Sequence, residues 1–378
     1  MGFAFKSKEF TDEPEDIRLV RGANIGQGTL KWDQKRRFPA ERYDEFEKYH
    51  LRPGDVVLAM DRPWIDAGLK WAVVSKDEVP ALLVQRVARL RGTQTLVHEF
   101  VRYVIGSPEF EAYVQPIVTG VNVPHISGSQ IEDFRFRLPP VKAQKEIASL
   151  LGTFDKLIEN NRRRIEILEE MARLIYREWF VHFRFPGHED VELVDSDPIP
   201  DGWKVRSLSA VLELAYGKAL KADDRRGGDV AVYGSGGIVG WHDEALVDGP
   251  GIVVGRKGNV GAVYWSDVDF YPIDTTYFVK SEMPLSFVYH QLQTLEFIDS
   301  HAAVPGLSRD QAYSLRVVVP ARGALASFDD TVSPMYELRR NLIAQNDVLT
   351  NARDLLLPRL ISGEFDVSDL DLDLERVA

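Results

Sequence analysis

The chain has 378 residues, 44% hydrophobic and 28% charged, which suits two or three soluble globular domains. It has no cysteine, which excludes a disulfide scaffold or thiolate metal site and fits a reducing cytoplasm; no run reaches the roughly 18 apolar residues of a membrane span. The net charge of −12 does not exclude a polyanionic partner, because much of it is local, in Glu189, Asp190, Glu192, Asp195 and Asp197 and again in Asp366, Asp369, Asp371, Asp373 and Glu375.

Residues 1–141 read as a first globular domain. Strands are predicted at residues 17–20, 55–60, 71–74 and 82–84, a helix at 96–105, and a half-buried strand at 134–138 from the alternation in Phe134-Arg135-Phe136-Arg137-Leu138. Residues 142–183 follow as one long helix. Its seam is predicted at Leu150, Phe154, Leu157, Asn161, Ile165, Leu168, Ala172, Ile175 and Trp179, a heptad with one stutter between Asn161 and Ile165. At 1.5 Å per residue it runs on the order of 55 Å. So narrow a seam needs a partner helix.

An acidic linker, 184–200, leads to a second domain at 201–321. Its strands are predicted at 252–254, 262–265 and 277–279, its helix at 287–298, and an opening segment at 203–208. A second long helix, 322–362, carries a seam at Leu338, Leu342, Gln345, Leu349, Ala352 and Leu356, and residues 363–378 form an acidic tail.

The two halves repeat. Val123-Pro124-His125-Ile126-Ser127 matches Val304-Pro305-Gly306-Leu307-Ser308 at an offset of 181, which also carries Pro139 onto Pro320, Leu157 onto Leu338, Leu168 onto Leu349 and Leu174 onto Leu355. Gly2-Phe3-Ala4-Phe5-Lys6 is similar to Gly217-Lys218-Ala219-Leu220-Lys221 at an offset of 215, so the first domain carries 34 more residues (215 less 181). The opening segment 203–208 has no counterpart ahead of Gly2.

In this order the motifs resemble those of the specificity subunits of Type I restriction–modification systems. The resemblance rests on residues 2–8, on Arg21-Gly22-Ala23-Asn24-Ile25, Gly54-Asp55-Val56-Val57, and the Val-Pro-x-(Ile/Leu)-Ser turns. It rests also on Pro140 with Gln144 and Ile147, Tyr233-Gly234-Ser235-Gly236-Gly237-Ile238, Gly255-Arg256-Lys257-Gly258, and residues 358–364. It implies an α+β chain with two α/β target recognition domains in tandem, separated by two long helices in an antiparallel coiled coil. Each domain would read one half of a split site in double-stranded DNA while the helices set the spacing. The resemblance also implies no catalysis by this chain. Two modification subunits and restriction subunits would be its partners, with S-adenosylmethionine, ATP and Mg on those partners. The rivals are a specificity subunit serving a methyltransferase alone and a coiled-coil scaffold whose end domains bind protein.

The candidate DNA contacts are basic residues in loops: Lys31, Lys35, Arg36, Arg37 and Arg62 in the first domain, and Lys218, Lys221, Arg225, Arg226, Arg256, Lys257 and Asn259 in the second. Lys and Arg neutralise phosphates, and Arg and Asn read base edges; the bland reading of each is a solvated loop. The glycines around Arg256-Lys257 favour the first reading there. Arg162-Arg163-Arg164 reads as a solvated helix face, His125 as a turn residue, and Ser127 and Ser308 as turn braces. Asp61-Arg62-Pro63-Trp64 misses the Asp-Pro-Pro-Trp of amino-methyltransferases by its first proline, and Gly234-Ser235-Gly236-Gly237 lacks the spacing of a nucleotide loop. Tyr176, Trp179, Phe180 and Phe183 exceed what two helices bury, so some of them are expected to face a second subunit.

Overall fold

A computed structural model of the protein describes residues 1–33, 35–65, 68–118, 124–191, 199–297 and 306–365. Val123, Val304 and Pro305 of the repeated turns, most of the acidic linker and the acidic tail lie outside these. The chain divides into two compact units, residues 1–159 with 346–378 and residues 160–345. Both boundaries fall inside the long helices, so each unit contains one globular domain and half of each helix.

In the first unit Val56–Ala59 is the centre of a four-stranded sheet, antiparallel to Trp71–Val73 on one side and Val87–Leu90 on the other, with Gln27–Gly28 beyond. All four central residues are buried, which is why the run lacks a polar alternation. A second sheet places Ile17–Val20 between Arg37–Phe38, antiparallel, and Ala81–Leu83, parallel. The helices Val101–Ile105 and Pro108–Val118 pack Val101, Ile105, Phe110 and Val114 on Val56 and Leu58.

The second unit repeats the plan. Gly251–Gly255 lies antiparallel between Val263–Ser266 and Thr276–Lys280, and Val230–Gly234 lies between Gly237–His242, antiparallel, and Phe270–Pro272, parallel. A ladder without a counterpart among the described residues of the first unit pairs Lys204–Ser207 antiparallel with Arg316–Val319. That accounts for a departure from expectation. At the offset of 181, Arg316–Val319 corresponds to residues 135–138, yet the expected strand at 134–138 does not form. Among the described residues nothing stands where Lys204–Ser207 does, and an alternating segment without a neighbour makes no ladder. The helix expected at 96–105 begins later, as a short 3₁₀ turn His98–Phe100 before Val101–Ile105.

The first long helix runs from Val141 to Tyr176 and continues through a wider turn, Arg177–Val181, before Phe183 at φ 58 ends it. The second runs from Arg322 to Ser362. Within each unit they pair antiparallel. In the first, Ile147 and Leu151 cluster with Leu357 and Leu360, and Arg353 donates to Asp155 at 2.9 Å. In the second, Asn161 stands 3.5 Å from Gln345, Arg339 donates to Glu169 at 2.5 Å, and the Phe180 and Phe328 rings meet at 5.0 Å.

The buried faces correct both expected seams. On the first helix the covered positions are Ile147, Leu151, Phe154, Ile158, Asn161, Ile165, Leu168 and Ala172, an unbroken 4,3 alternation; Leu157 is exposed and the expected stutter is absent. On the second they are Phe328, Val332, Met335, Arg339, Leu342, Asn346, Leu349 and Arg353, so Leu338 and Gln345 lie one residue off the seam and Ala352 is half-buried beside it. Three of its positions are polar, which hid them from a search for apolar periodicity.

Candidate nucleic-acid interface

Each domain builds the same turn from its first residues, the end of its central strand and the segment before its long helix. Gly217 N–H donates to the Thr276 carbonyl at 3.2 Å, and Gly2 N–H to the Val87 carbonyl at 3.1 Å. A Cβ on Gly217 would collide with the Ile273 carbonyl, and one on Gly2 with the Val84 carbonyl, so only glycine fits at both. Past the central strand, Lys257 bridges to Gly306 and Asp61 to His125. Leu307 N–H donates to the Arg256 carbonyl (2.7 Å) as Ile126 N–H does to the Met60 carbonyl (2.9 Å). Arg62 stands at φ 44 where the second domain has Gly258 at φ 83.

Upon this common frame the second domain mounts a cationic cluster. Arg256 lies over the rings of Tyr216 (5.0 Å) and Tyr277 (5.8 Å), and one guanidinium nitrogen donates to the Asp274 carbonyl at 2.9 Å. Arg309 also packs on Tyr216, at 5.1 Å, while Tyr277 is fixed by donating to the Leu307 carbonyl at 3.0 Å. Burial pushes the Tyr277 hydroxyl above its ordinary pKa, so it stays a neutral donor. Lys218 is exposed next to Tyr216, Lys257 is half-buried, and Asn259 reaches the Tyr264 hydroxyl at 3.4 Å. The turn at Gly234-Ser235-Gly236-Gly237 joins the strands of a hairpin.

The first domain mounts a different set. Lys70 donates to the Gly22 carbonyl, and burial, then Lys31 and Arg62 beside it, lower its pKa. That places the expected Lys31 and Arg62 in one patch around a lysine that sequence did not single out. Asp61 accepts from Arg86 and stands 2.7 Å from His125 Nδ1, so His125 is more than a turn residue. Ser127 caps the helix Gly128–Glu132 by accepting from Gln130 N–H at 3.2 Å.

Other candidates stand apart from these turns or are taken up internally. Lys35, Arg36 and Arg37 line a shallow depression with Arg18 and Trp32. Arg36 is paired with Asp12 at 2.8 Å, and Arg37 donates to the Asp16 carbonyl at 2.6 Å, which braces its own strand. Arg225 donates to the Val239 carbonyl at 2.6 Å, and Arg226 is neutralised by Asp243 (2.8 Å) and Glu244 (3.0 Å). Lys221 is exposed at the start of a 3₁₀ turn, Ala222–Asp224.

A family profile described as the Type I restriction modification DNA specificity domain matches residues 107–170 and 200–301. The EcoAI specificity subunit of Escherichia coli is 38% identical over 159 residues, 42% of this chain and 26% of that protein. The MjaIX specificity subunit of Methanocaldococcus jannaschii is 26% identical over 311 residues, 73% of this chain and 71% of that protein. Over these stretches the chain is similar to type I specificity subunits. A crystal structure of a type I S subunit from M. genitalium has the same fold, with a TM-score of 0.51 at 16% identity over 95% of this chain and 92% of that one. The aligned stretch is thus about a quarter of the Escherichia coli relative and most of the archaeal one.

The expectation for the aromatics at the end of the first long helix needs correction. Tyr176 and Phe180 are buried in the core of their own unit against Phe287 and Phe328, with Phe180 on Trp203 as well. Trp179 and Phe183 are half-buried against the same core. The excess over a two-helix seam is absorbed by the second domain, so these four do not make an exposed subunit face. Exposed apolar residues elsewhere on the helices include Ile167, Met171 and Leu174 on the first and Val348 and Leu355 on the second.

Proposed function

We propose that the chain is the DNA-recognition subunit of a type I complex, each domain reading one half of a split site in double-stranded DNA. The observation that carries this is the turn built twice on one frame with different cationic side chains. A conserved frame with exchanged side chains suits two heads that recognise unlike sequences of the same polymer. The antiparallel coiled coil formed by the long helices would set the separation of the half-sites.

Modification subunits would dock on the helices. At the offset of 181, exposed Ile167 answers exposed Val348, and exposed Leu174 answers exposed Leu355, so one apolar stripe occurs once per unit and suits two copies of one partner. Methyl transfer from S-adenosylmethionine to adenine, and any ATP- and Mg-dependent cleavage, would belong to those partners and to restriction subunits. The test is methylation mapping of DNA modified by the complex of this chain with its cognate modification subunit. A discontinuous methylated motif is expected. Absence of any such motif, together with no duplex preference, would favour a protein-binding scaffold instead.

A further inference from the structure

We propose that Arg256, splinted on Tyr216 and Tyr277, is the base-reading residue of the second domain and takes the two-acceptor edge of a guanine in the major groove. The inference rests on the reading of that domain as a DNA-binding head and goes beyond it to one residue and one base.

Three features single this arginine out. First, its fork is held before any ligand arrives: two rings support its plane and the Asp274 carbonyl takes one N–H, while among the described residues no carboxylate takes the others. A planar guanidinium fixed in this way matches the O6 and N7 acceptors of guanine, whereas a lysine in the same place is a point charge. Second, the cluster is left uncompensated. Arg256 and Arg309 share the Tyr216 ring at 5.0 and 5.1 Å, and among the described residues neither has a carboxylate within ion-pair distance. In a chain with net charge −12, two like charges on one ring are an arrangement that an anionic partner relieves.

Third, the repeat provides an internal comparison. Through the backbone matches described above, Tyr216, Arg256, Tyr277 and Arg309 correspond to Met1, Met60, Ala88 and Gly128 in the first domain. The correspondence is physical as well as numerical, since a Cβ on Gly128 would touch the Met1 sulfur at 3.5 Å, as Arg309 touches Tyr216. All four members of the cluster are therefore changed together on an unchanged frame. Side chains that serve the fold would be common to both domains; those that differ as a set are free to specify. Arg309, at the head of the short helix Arg309–Ser314 and, among the described residues, without a backbone carbonyl to fix its fork, is assigned to the neighbouring phosphate.

The experiment uses the full complex with its cognate modification subunits. The site methylated by the wild type is mapped first, and duplexes carrying it are then prepared with each guanine in turn replaced by 7-deazaguanine, which lacks the N7 acceptor. Wild-type binding is expected to fall about tenfold at one guanine of one half-site. Arg256→Ala should be weaker on the intact site and indifferent to that replacement, with the other half-site and the spacer unchanged. Arg256→Lys keeps the charge and should behave like alanine toward the replacement, and its melting curve shows that the domain is folded. Arg309→Ala should weaken all duplexes alike and lower the slope of log affinity against log salt by about one. A uniform loss in Arg256→Ala, with a smaller salt slope and the motif intact, overturns base reading in favour of a phosphate contact. Retention of the wild-type response to every 7-deazaguanine overturns it as well. Failure of the wild-type complex to modify any split site sinks the DNA-reading assignment itself, a result distinct from the other two.

Discussion

Gln144 shows how much one residue can do that its own neighbourhood in sequence does not reveal. It is fully buried in the first turn of the first long helix. Its side-chain oxygen accepts from Val97 N–H at 2.7 Å, and its nitrogen donates to the carbonyls of Thr95 (2.9 Å) and Pro139 (2.8 Å). The motif Pro140-x-x-x-Gln144 was visible, but its purpose depends on partners almost fifty residues away. Gln144→Leu would keep the volume and leave three partly buried backbone groups without this partner, at a cost of about 3 kcal/mol; a denaturant midpoint unchanged from wild type would refute that role. His290 offers a test by acid. It is 4% exposed, with the Tyr336 hydroxyl 3.0 Å from its Nε2. Burial, with a smaller push from Arg173, pulls its pKa from 6.5 down to about 4, against an opposing contribution from Gln293. The unfolded chain therefore takes up the proton first as pH falls. The stability it confers is whole above about pH 6.5 and drains away toward pH 4, by up to about 3 kcal/mol. Between pH 7 and pH 5 the melting temperature of the wild type should drop further than that of His290→Gln; parallel drops would show that His290 is not the group responsible. The basic residues were legible as a population, but their sorting was not. Lys70, Arg309 and Tyr216 acquire meaning from what the fold sets beside them, just as Arg37 and Arg226 lose theirs to Asp16, Asp243 and Glu244.

Among the elements, the helices were legible in extent and misread in phase. Their length followed from the lack of interruption, whereas their antiparallel pairing was implied only by the family resemblance. The phase failed where a seam position is polar. Leu338, Gln345 and Ala352 satisfy an apolar or neutral periodicity, but Arg339, Asn346 and Arg353 are the residues facing inward. Arginine does this by burying its methylenes and giving its head a carboxylate. Asp155, 12% exposed, accepts from Arg353 (2.9 Å), pairs with Arg102 (3.1 Å) and accepts from the Tyr103 hydroxyl (2.7 Å). Removing it leaves two guanidiniums and a hydroxyl partly buried with nothing to receive them. Asp155→Ala is expected to cost about 3 kcal/mol, far above the few tenths of a solvent-exposed pair; a change within the latter range, measured by chemical denaturation, would make the polar seam incidental. The missing ladder at 134–138 makes the same point for strands. Alternation states that a segment could lie on a sheet, and only a neighbour decides that it does.

For the whole molecule, the repeat was the most informative feature of the sequence, because a duplicated frame constrains every level at once. It fixed two domains of one plan, and the two sheets of each unit share their strand order about the central strand. It left open what each head recognises, since specificity lies in the side chains that the repeat does not share. The functional consequence is separable control of reading and spacing. Inserting one heptad into each long helix, after Asn160 and after Gln345, keeps the seam in phase and turns each helix by only about 20°. The pair lengthens by about 10 Å, close to three base pairs along the duplex axis. Both half-sites should survive this change, with a longer spacer between them in the methylated motif. Three base pairs also rotate one half-site around the duplex, so a lower methylation rate is expected with the new spacing. A complex that still methylates the original spacing at the original rate would show that the helices do not set the distance. One that changes a half-site would show that the helices take part in reading.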